Sequence, residues 1–178
     1  MSFAFTLFDT ALGSGGLAWS AQGVSGIELP QPEAARVRQR LRRRFPGALE
    51  QPPPAEIQQA IDRMVALLAG QPVDLSDVHL DLRQVPAFDR QVYAVARTIP
   101  AGETLSYGDI ARRLGDVHLA RDVGQALGRN PYPIVVPCHR VISANGSLGG
   151  FSARGGVNTK QQLLSIEQAR VSWQLPLV

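Results

Sequence analysis

Ser106-Tyr107-Gly108-Asp109-Ile110-Ala111-Arg112-Arg113-Leu114-Gly115 reads as a short helix with a stop, and Leu119-Ala120-Arg121-Asp122-Val123-Gly124-Gln125-Ala126-Leu127 as a second helix close behind it. Ser106 with Asp109 three residues on is a capping-box pattern, with Asp standing where Glu or Gln is usual. Ile110 and Leu114 give the first helix its buried face, and Gly115 ends it. Leu119, Val123 and Leu127, spaced four apart, give the second helix its own, and Gly128-Arg129-Asn130-Pro131 closes it. Two short helices joined by a tight glycine-containing turn match a helix-turn-helix. Such pairs are common, so the match alone leaves DNA binding open.

The outer face of the second helix narrows the choice. Ala120, Gly124 and Ala126 are small, and Arg121 near the start is long. Small residues let a helix come close to a nucleic-acid groove, and one long cation can enter the stack where a base has left. An exposed arginine on a surface helix is the simpler alternative.

Upstream of this pair, Phe88, Val92, Val95 and Ile99 form a helical stripe stopped by Pro100-Ala101-Gly102. Pro86 marks a boundary, which divides the chain into 1–86 and 87–178. The first thirty residues alternate short apolar stretches with glycines, the pattern of β-hairpins in a small antiparallel sheet. Glu33 to Phe45 carries arginines at 36, 38, 40, 42, 43 and 44. A run of this kind is a solvated helix face or a nucleic-acid contact. After Pro52-Pro53-Pro54, the residues Ile57, Ile61, Met64, Val65 and Leu68 share one helical face, and Asp74 to Leu82 reads as an extended return.

Composition sets the limits. At 178 residues and 44% hydrophobic, the chain has enough apolar material for a core, as one domain or two small ones sharing a seam. No apolar run approaches the roughly 20 residues that cross a bilayer. The first residues lack a secretory signal, which points to the cytoplasm. A net charge of +3, almost all its cations arginine, permits a polyanionic partner without demanding one. A biased genome composition produces the same excess. One cysteine excludes an internal disulfide and a cysteine-rich zinc site, and three widely spaced histidines argue against a structural metal.

That cysteine, Cys138, follows Pro131-Tyr132-Pro133-Ile134-Val135-Val136-Pro137. Ile134 to Val136 is a short apolar run of buried-strand type, so Cys138 is expected where a strand leaves the core. A lone buried cysteine is usually a small hydrophobe. Here His139 and Arg140 follow at once, and polar groups beside a core strand need partners. A thiol is nucleophilic only as thiolate, and a histidine backed by a carboxylate can take its proton. In extended chain His139 and Cys138 point apart, so a bridging water would complete the path. Asn130 can brace the turn, and Glu167, on a C-terminal helix after Thr159, is the candidate carboxylate.

Pro137-Cys138-His139-Arg140-Val141 resembles the active-site signature of the O6-alkylguanine-DNA alkyltransferases, or methylated-DNA–protein-cysteine methyltransferases. Ile99 to Tyr107, Ala120 to Gly124 and Asn130-Pro131 match in order and spacing, and the agreement runs from about Phe88 to Glu167. The resemblance implies an α/β (α+β) protein: a small ribonuclease-H-like sheet domain followed by a helical domain with a helix-turn-helix. It implies a monomer that acts on double-stranded DNA containing O6-alkylguanine, without a cofactor or metal, and is consumed. Cys138 would take the alkyl group, with His139 and Glu167 making the thiolate and Asn130 holding the turn. Tyr107 would donate to the leaving purine. Arg121 would fill the gap left by the flipped nucleotide, with Ala120, Gly124 and Ala126 in the minor groove. Val141, Phe151 and Ser152, with Tyr107, would line the base pocket. Arg140 would pair across the domain seam. Phe151 stands where many relatives have tyrosine, and the 152–160 loop is longer than the family form. A damage sensor without transfer, a helix-turn-helix regulator and a cysteine hydrolase are the competing readings.

Overall fold

The computed structural model describes residues 1–148 and 156–170. The chain forms two units: Met1–Gln84 with Pro131–Val135, and Val85–Asn130 with the described residues from Val136 onward. No helix among the described residues is long and apolar enough to cross a membrane.

In the first unit the glycine-punctuated start forms the expected hairpins. β1 (Ala4–Thr10), β2 (Gly13–Ser20) and β3 (Gly23–Gln31) are antiparallel, and the short β4 (Leu49–Glu50) joins β1 in parallel, in the order β3-β2-β1-β4. Gly13 turns the first hairpin at φ 121, where a Cβ would collide with the Gln31 carbonyl oxygen. Helix α1 (Ala34–Arg44) lies on β2 so closely that a Cβ at Gly16 would stand 2.6 Å from Leu41 and 2.7 Å from Val37. Val37 and Leu41 pack there with Phe5 and Ala18. Leu17 and Trp19, of opposite strand parity, point away from α1.

The arginine run on α1 is spent largely within its own unit. Arg38 makes a two-pronged contact with Glu50 at 2.8 and 3.1 Å, and Arg42 approaches the same carboxylate at 3.8 Å. Arg40 and Arg44 both hold the buried Glu28 at 2.7 Å, and Arg36 meets Glu33 at 3.1 Å. Paired, partly solvated arginines are therefore what the structure holds. Helix α2 (Ala55–Leu68) buries Ile57, Ile61, Met64 and Leu68 as its periodicity predicts, and adds Ala60 and Leu67. Asp74–Leu82 is not a strand. It touches the sheet through one bridge, Val24 with Leu80, because Val24 N–H donates to His79 O and Asp81 N–H to Val24 O.

The second unit is helical around a two-stranded ladder. Helix α3 (Ala87–Ala96) buries Asp89, Val92, Tyr93 and Ala96, so its inner face is turned from the stripe the sequence predicts, with Phe88 and Val95 half-buried beside it. β5 (Leu105–Ser106) leads into α4 (Tyr107–Arg113), and the capping box is complete: Asp109 N–H donates to Ser106 Oγ at 3.0 Å and Ser106 N–H to Asp109 Oδ2 at 2.9 Å. A 3₁₀ turn over Val117–Leu119 precedes α5 (Ala120–Gly128), so α4 and α5 form the helix-turn-helix. Tyr93 Oη donates to Ala126 O at 2.7 Å, and Arg129 grips the buried Asp89 at 2.8 and 3.1 Å, which fixes α5 on α3. β6 (Val141–Ile142) pairs with β5 in parallel, and α6 spans Gly156–Ile166, starting ahead of Thr159.

Candidate active site

A turn carries Cys138, not the end of a strand. The expected strand at Ile134–Val136 is absent: Ile134 sits at φ 78, a left-handed conformation costly for a β-branched residue, with its side chain buried. The prolines at 131, 133 and 137 supply no N–H, so the stretch cannot build a regular ladder. At Pro137 (φ -80, ψ 66) the chain makes an inverse γ-turn in which Cys138 N–H donates to Val136 O at 2.8 Å. Cys138–Arg140 then forms a 3₁₀ turn closed by Arg140 N–H on Pro137 O at 2.9 Å. Strand alternation therefore does not govern how Cys138 and His139 are placed. Asn130 braces this turn as expected, donating from Nδ2 to Val136 O at 2.9 Å.

The ladder sets the neighbours. Leu105 pairs with Val141 and Ser106 with Ile142, which brings Tyr107, the first residue of α4, to the end of the turn that holds the thiol. Lys160 of α6, fully buried, donates from Nζ to Val141 O at 2.5 Å and lies 3.5 Å from Tyr107 Oη.

Behind the thiol the charges are arranged in a chain. His139 Nε2 is 2.8 Å from Glu167 Oε1, and both side chains are almost wholly buried. Arg140 clasps Glu167 with two bonds of 2.9 and 2.7 Å and donates a third, at 2.6 Å, to Ile99 O. These partners lie in its own unit, which corrects the expectation that Arg140 pairs across the seam. Burial opposes ionisation of Glu167, but the His139 and Arg140 contacts outweigh it and hold its carboxyl at about 2. An ionised Glu167 accepts, so His139 Nε2 carries the proton and Nδ1 the lone pair. Nδ1 is buried, with no hydrogen-bond partner among the described residues. Burial pushes the imidazole pKa down, against the pull of Glu167, so His139 rests neutral and able to accept a proton.

The Cys138 thiol itself is pushed up by burial, opposed by its hydrogen bond with Asn130, the charge of Lys160 and backbone N–H groups. Tyr107 is raised too, by burial and then by the Cys138 charge, which keeps its hydroxyl a donor. Among the described residues no cluster of His, Cys, Asp and Glu is arranged to hold a metal.

On α5, Arg121 is exposed and Ala120 and Gly124 are half-buried. A Cβ at Gly124 would lie 3.8 Å from the Tyr107 ring, so this residue stands between the helix surface and the site. Ala126 does not belong to the outer face. It is fully buried with Val123 and Leu127, three and one positions away on the same inner stripe. Val141 is buried at the ladder, whereas Phe151 and Ser152 lie outside the described residues. Sequence reading misses the buried place of Lys160 beside Val141 and Tyr107, although its being the chain's single lysine is a visible signal. Nothing in the sequence marks Asp89 and Arg129 as partners forty residues apart.

Residues 87–169 match the family described as "6-O-methylguanine DNA methyltransferase, DNA binding domain", which sets the class of the second unit. The chain is 45% identical over 126 residues to the methylated-DNA–protein-cysteine methyltransferase of Mycobacterium tuberculosis, covering 71% of this chain and 74% of that protein. It is 35% identical over 167 residues to the Escherichia coli bifunctional transcriptional activator/DNA repair enzyme Ada, covering 94% of this chain and 46% of Ada. Its fold is similar to the crystal structure of Mycobacterium tuberculosis OGT in complex with DNA, with a TM-score of 0.74 and 35% identity over 93% of this chain and 92% of that one. It is also similar to the O6-methylguanine-DNA methyltransferase of Pyrococcus kodakaraensis, at a TM-score of 0.68 and 26% identity over 93% and 98% of the two chains. The chain belongs to the methylated-DNA–protein-cysteine methyltransferase family.

Proposed function

We propose that this protein repairs O6-alkylguanine in double-stranded DNA by moving the alkyl group irreversibly onto Sγ of Cys138. The observation that carries the reading is the buried Cys138 thiol on a braced turn, next to a neutral His139 whose Nε2 is engaged by Glu167. His139 Nδ1 takes the thiol proton through a water. The thiolate attacks the alkyl carbon, the carbon–oxygen bond breaks, and its electron pair leaves on the purine. Tyr107 donates to the purine ring as negative charge develops there. The uncharged thioether is not an activated alkyl donor, since breaking its sulfur–carbon bond would require a fresh nucleophile to expel the thiolate, so each protein acts once and needs no cofactor.

A base inside a duplex cannot present its O6 to a sulfur this buried, so the nucleotide must be extruded, at a few kcal/mol. The exposed Arg121 at the start of α5 fits the role of the inserted side chain, and Ala120 and Gly124 allow close approach to the minor groove. In this reading Val141 would line the base pocket, with Phe151 and Ser152 assigned there by the family resemblance alone, and the cytoplasm is its setting.

Replacing Arg121 by alanine tests the interface. Repair of a lesion in duplex DNA is expected to slow by at least about 10-fold, or ~1.4 kcal/mol, while reaction with a free O6-alkylguanine base is unchanged. Single-turnover rates on the two substrates measure this. Equal losses on both would contradict the insertion role.

A further inference from the structure

Cys138 N–H and Asn130 Nδ2 both donate to Val136 O, so the place of the thiol turn depends on how Val136 is held. The five residues just ahead of it, Pro131–Val135, form a strap that belongs to the first unit, while Asn130 and Val136 on either side belong to the second. Within the first unit the strap is tied down at two residues. Pro131 O accepts from Ile27 N–H of β3 at 2.9 Å and from Arg44 Nη2 at 3.4 Å. Tyr132, 2% exposed, donates from Oη to Asp81 O. Asp81 is itself firmly anchored. Its N–H donates to Val24 O at 2.8 Å, Ser20 Oγ donates to its carboxylate at 2.7 Å, and Arg83 grips that carboxylate at 2.9 and 2.7 Å.

Two residues after Tyr132 comes the left-handed φ of 78 at the buried Ile134. A β-branched residue keeps such a conformation only where the surrounding structure over-determines it. Here the chain is fixed on one side by Tyr132 on Asp81 and on the other by Asn130 on Val136. Resting on the reading of Cys138 as the alkyl acceptor, we propose that Tyr132 is a positioning residue for the transfer. Its hydroxyl, anchored on Asp81 O, holds the strap through Ile134, so that Val136 O stays in reach of both its donors and the thiol turn keeps its place. With the hydroxyl gone, Ile134 is free to relax toward negative φ, which turns the following peptides and shifts Val136 O. Displacement at carbon tolerates little such error, since a misplacement of about 1 Å costs up to roughly 10²-fold in rate.

The test uses the full chain. Tyr132→Phe removes one hydroxyl and leaves the buried ring in place. In single-turnover reaction with a duplex oligonucleotide carrying one O6-methylguanine, its limiting rate is expected to fall at least about 10-fold. The half-saturating DNA concentration is expected to stay within about threefold of the parent. A hydroxyl that served only the stability of the first unit would lower the urea midpoint and leave the limiting rate of folded protein unchanged, and that result would overturn the proposal. Should the variant not fold, the native protein decides. Amide hydrogen exchange compares Cys138 N–H with Ile27 N–H, which Pro131 O holds. Protection of the two is expected to agree within about tenfold, because release of the strap is what frees the turn. A Cys138 N–H protected more than tenfold less than Ile27 N–H would overturn the proposal. A parent protein that moves no methyl group from the oligonucleotide would defeat the repair reading, and the exchange rates would still decide whether the strap holds the turn.

Discussion

Cys138→Ala transfers no alkyl group from O6-alkylguanine DNA at any time or concentration, while its affinity for duplex DNA stays within about threefold of the parent, under ~1 kcal/mol. The first half follows from the chemistry, since the chain has no second thiol and nothing else to carry the group. Cys138→Ser behaves the same way, because a hydroxyl is far harder to ionise than a thiol beside a histidine held neutral by burial. The second half follows from placement. The thiol sits on the Cys138–Arg140 turn, with 7% of its residue surface exposed, whereas the proposed groove surface is the outer face of α5. Single-turnover assays with labelled lesion DNA and titration of undamaged duplex measure the two halves. Loss of binding together with transfer would mean that the groove surface is misplaced.

Glu167→Gln is expected to slow alkyl transfer by up to roughly 10²- to 10⁴-fold, the contribution of a positioned general base. The amide keeps the shape of the carboxylate but not its charge. The Nε2–H tautomer of His139 then loses its anchor, and Arg140 is left as a buried guanidinium without a carboxylate. Breaking a buried pair in this way also costs about 3–5 kcal/mol of stability at neutral pH. The pH dependence has a definite sign. The Glu167 carboxyl is held at about 2 in the folded protein, below its ordinary value, so the stability it contributes is present above pH ~4.5 and is lost as pH falls toward 2. Urea unfolding should therefore show the parent well above Glu167→Gln at pH 7, with the gap closing between about pH 4.5 and 2. A gap that is constant over that interval would show that the carboxylate is not what the cluster uses.

Local signals carry further in this sequence than long-range ones. Glycines after the strands of the first unit, the Ser106–Asp109 box and the apolar spacing of α2 are all readable, because each is decided within a few residues. The Pro137–Val141 signature singles out the proposed acceptor Cys138, and the place of Asn130 just ahead of the turn is enough to mark it as a brace. The features that mislead depend on packing. Ile134–Val136 has the composition of a strand, yet proline on both sides and burial of Ile134 force a turn with positive φ. Ala126 has the size of a residue on a small outer face, but Tyr93 reaches its carbonyl from α3 and fixes it inside. The arginine run reads first as a solvated helix face and second as a polyanion contact, and the positions of Glu28 and Glu50, which no local signal gives, supply its partners. Lys160 cannot be placed from sequence, since its partners Tyr107 and Val141 come together through a two-residue ladder.

The most direct test is the mass of the intact protein after one exposure to methylated duplex DNA, followed by peptide mapping. The expected result is a gain of one methyl group per chain, found on the peptide that holds Cys138, with no further gain on prolonged exposure. A protein of unchanged mass, or a methyl group on any other residue, would contradict the assignment of Cys138 as the alkyl acceptor.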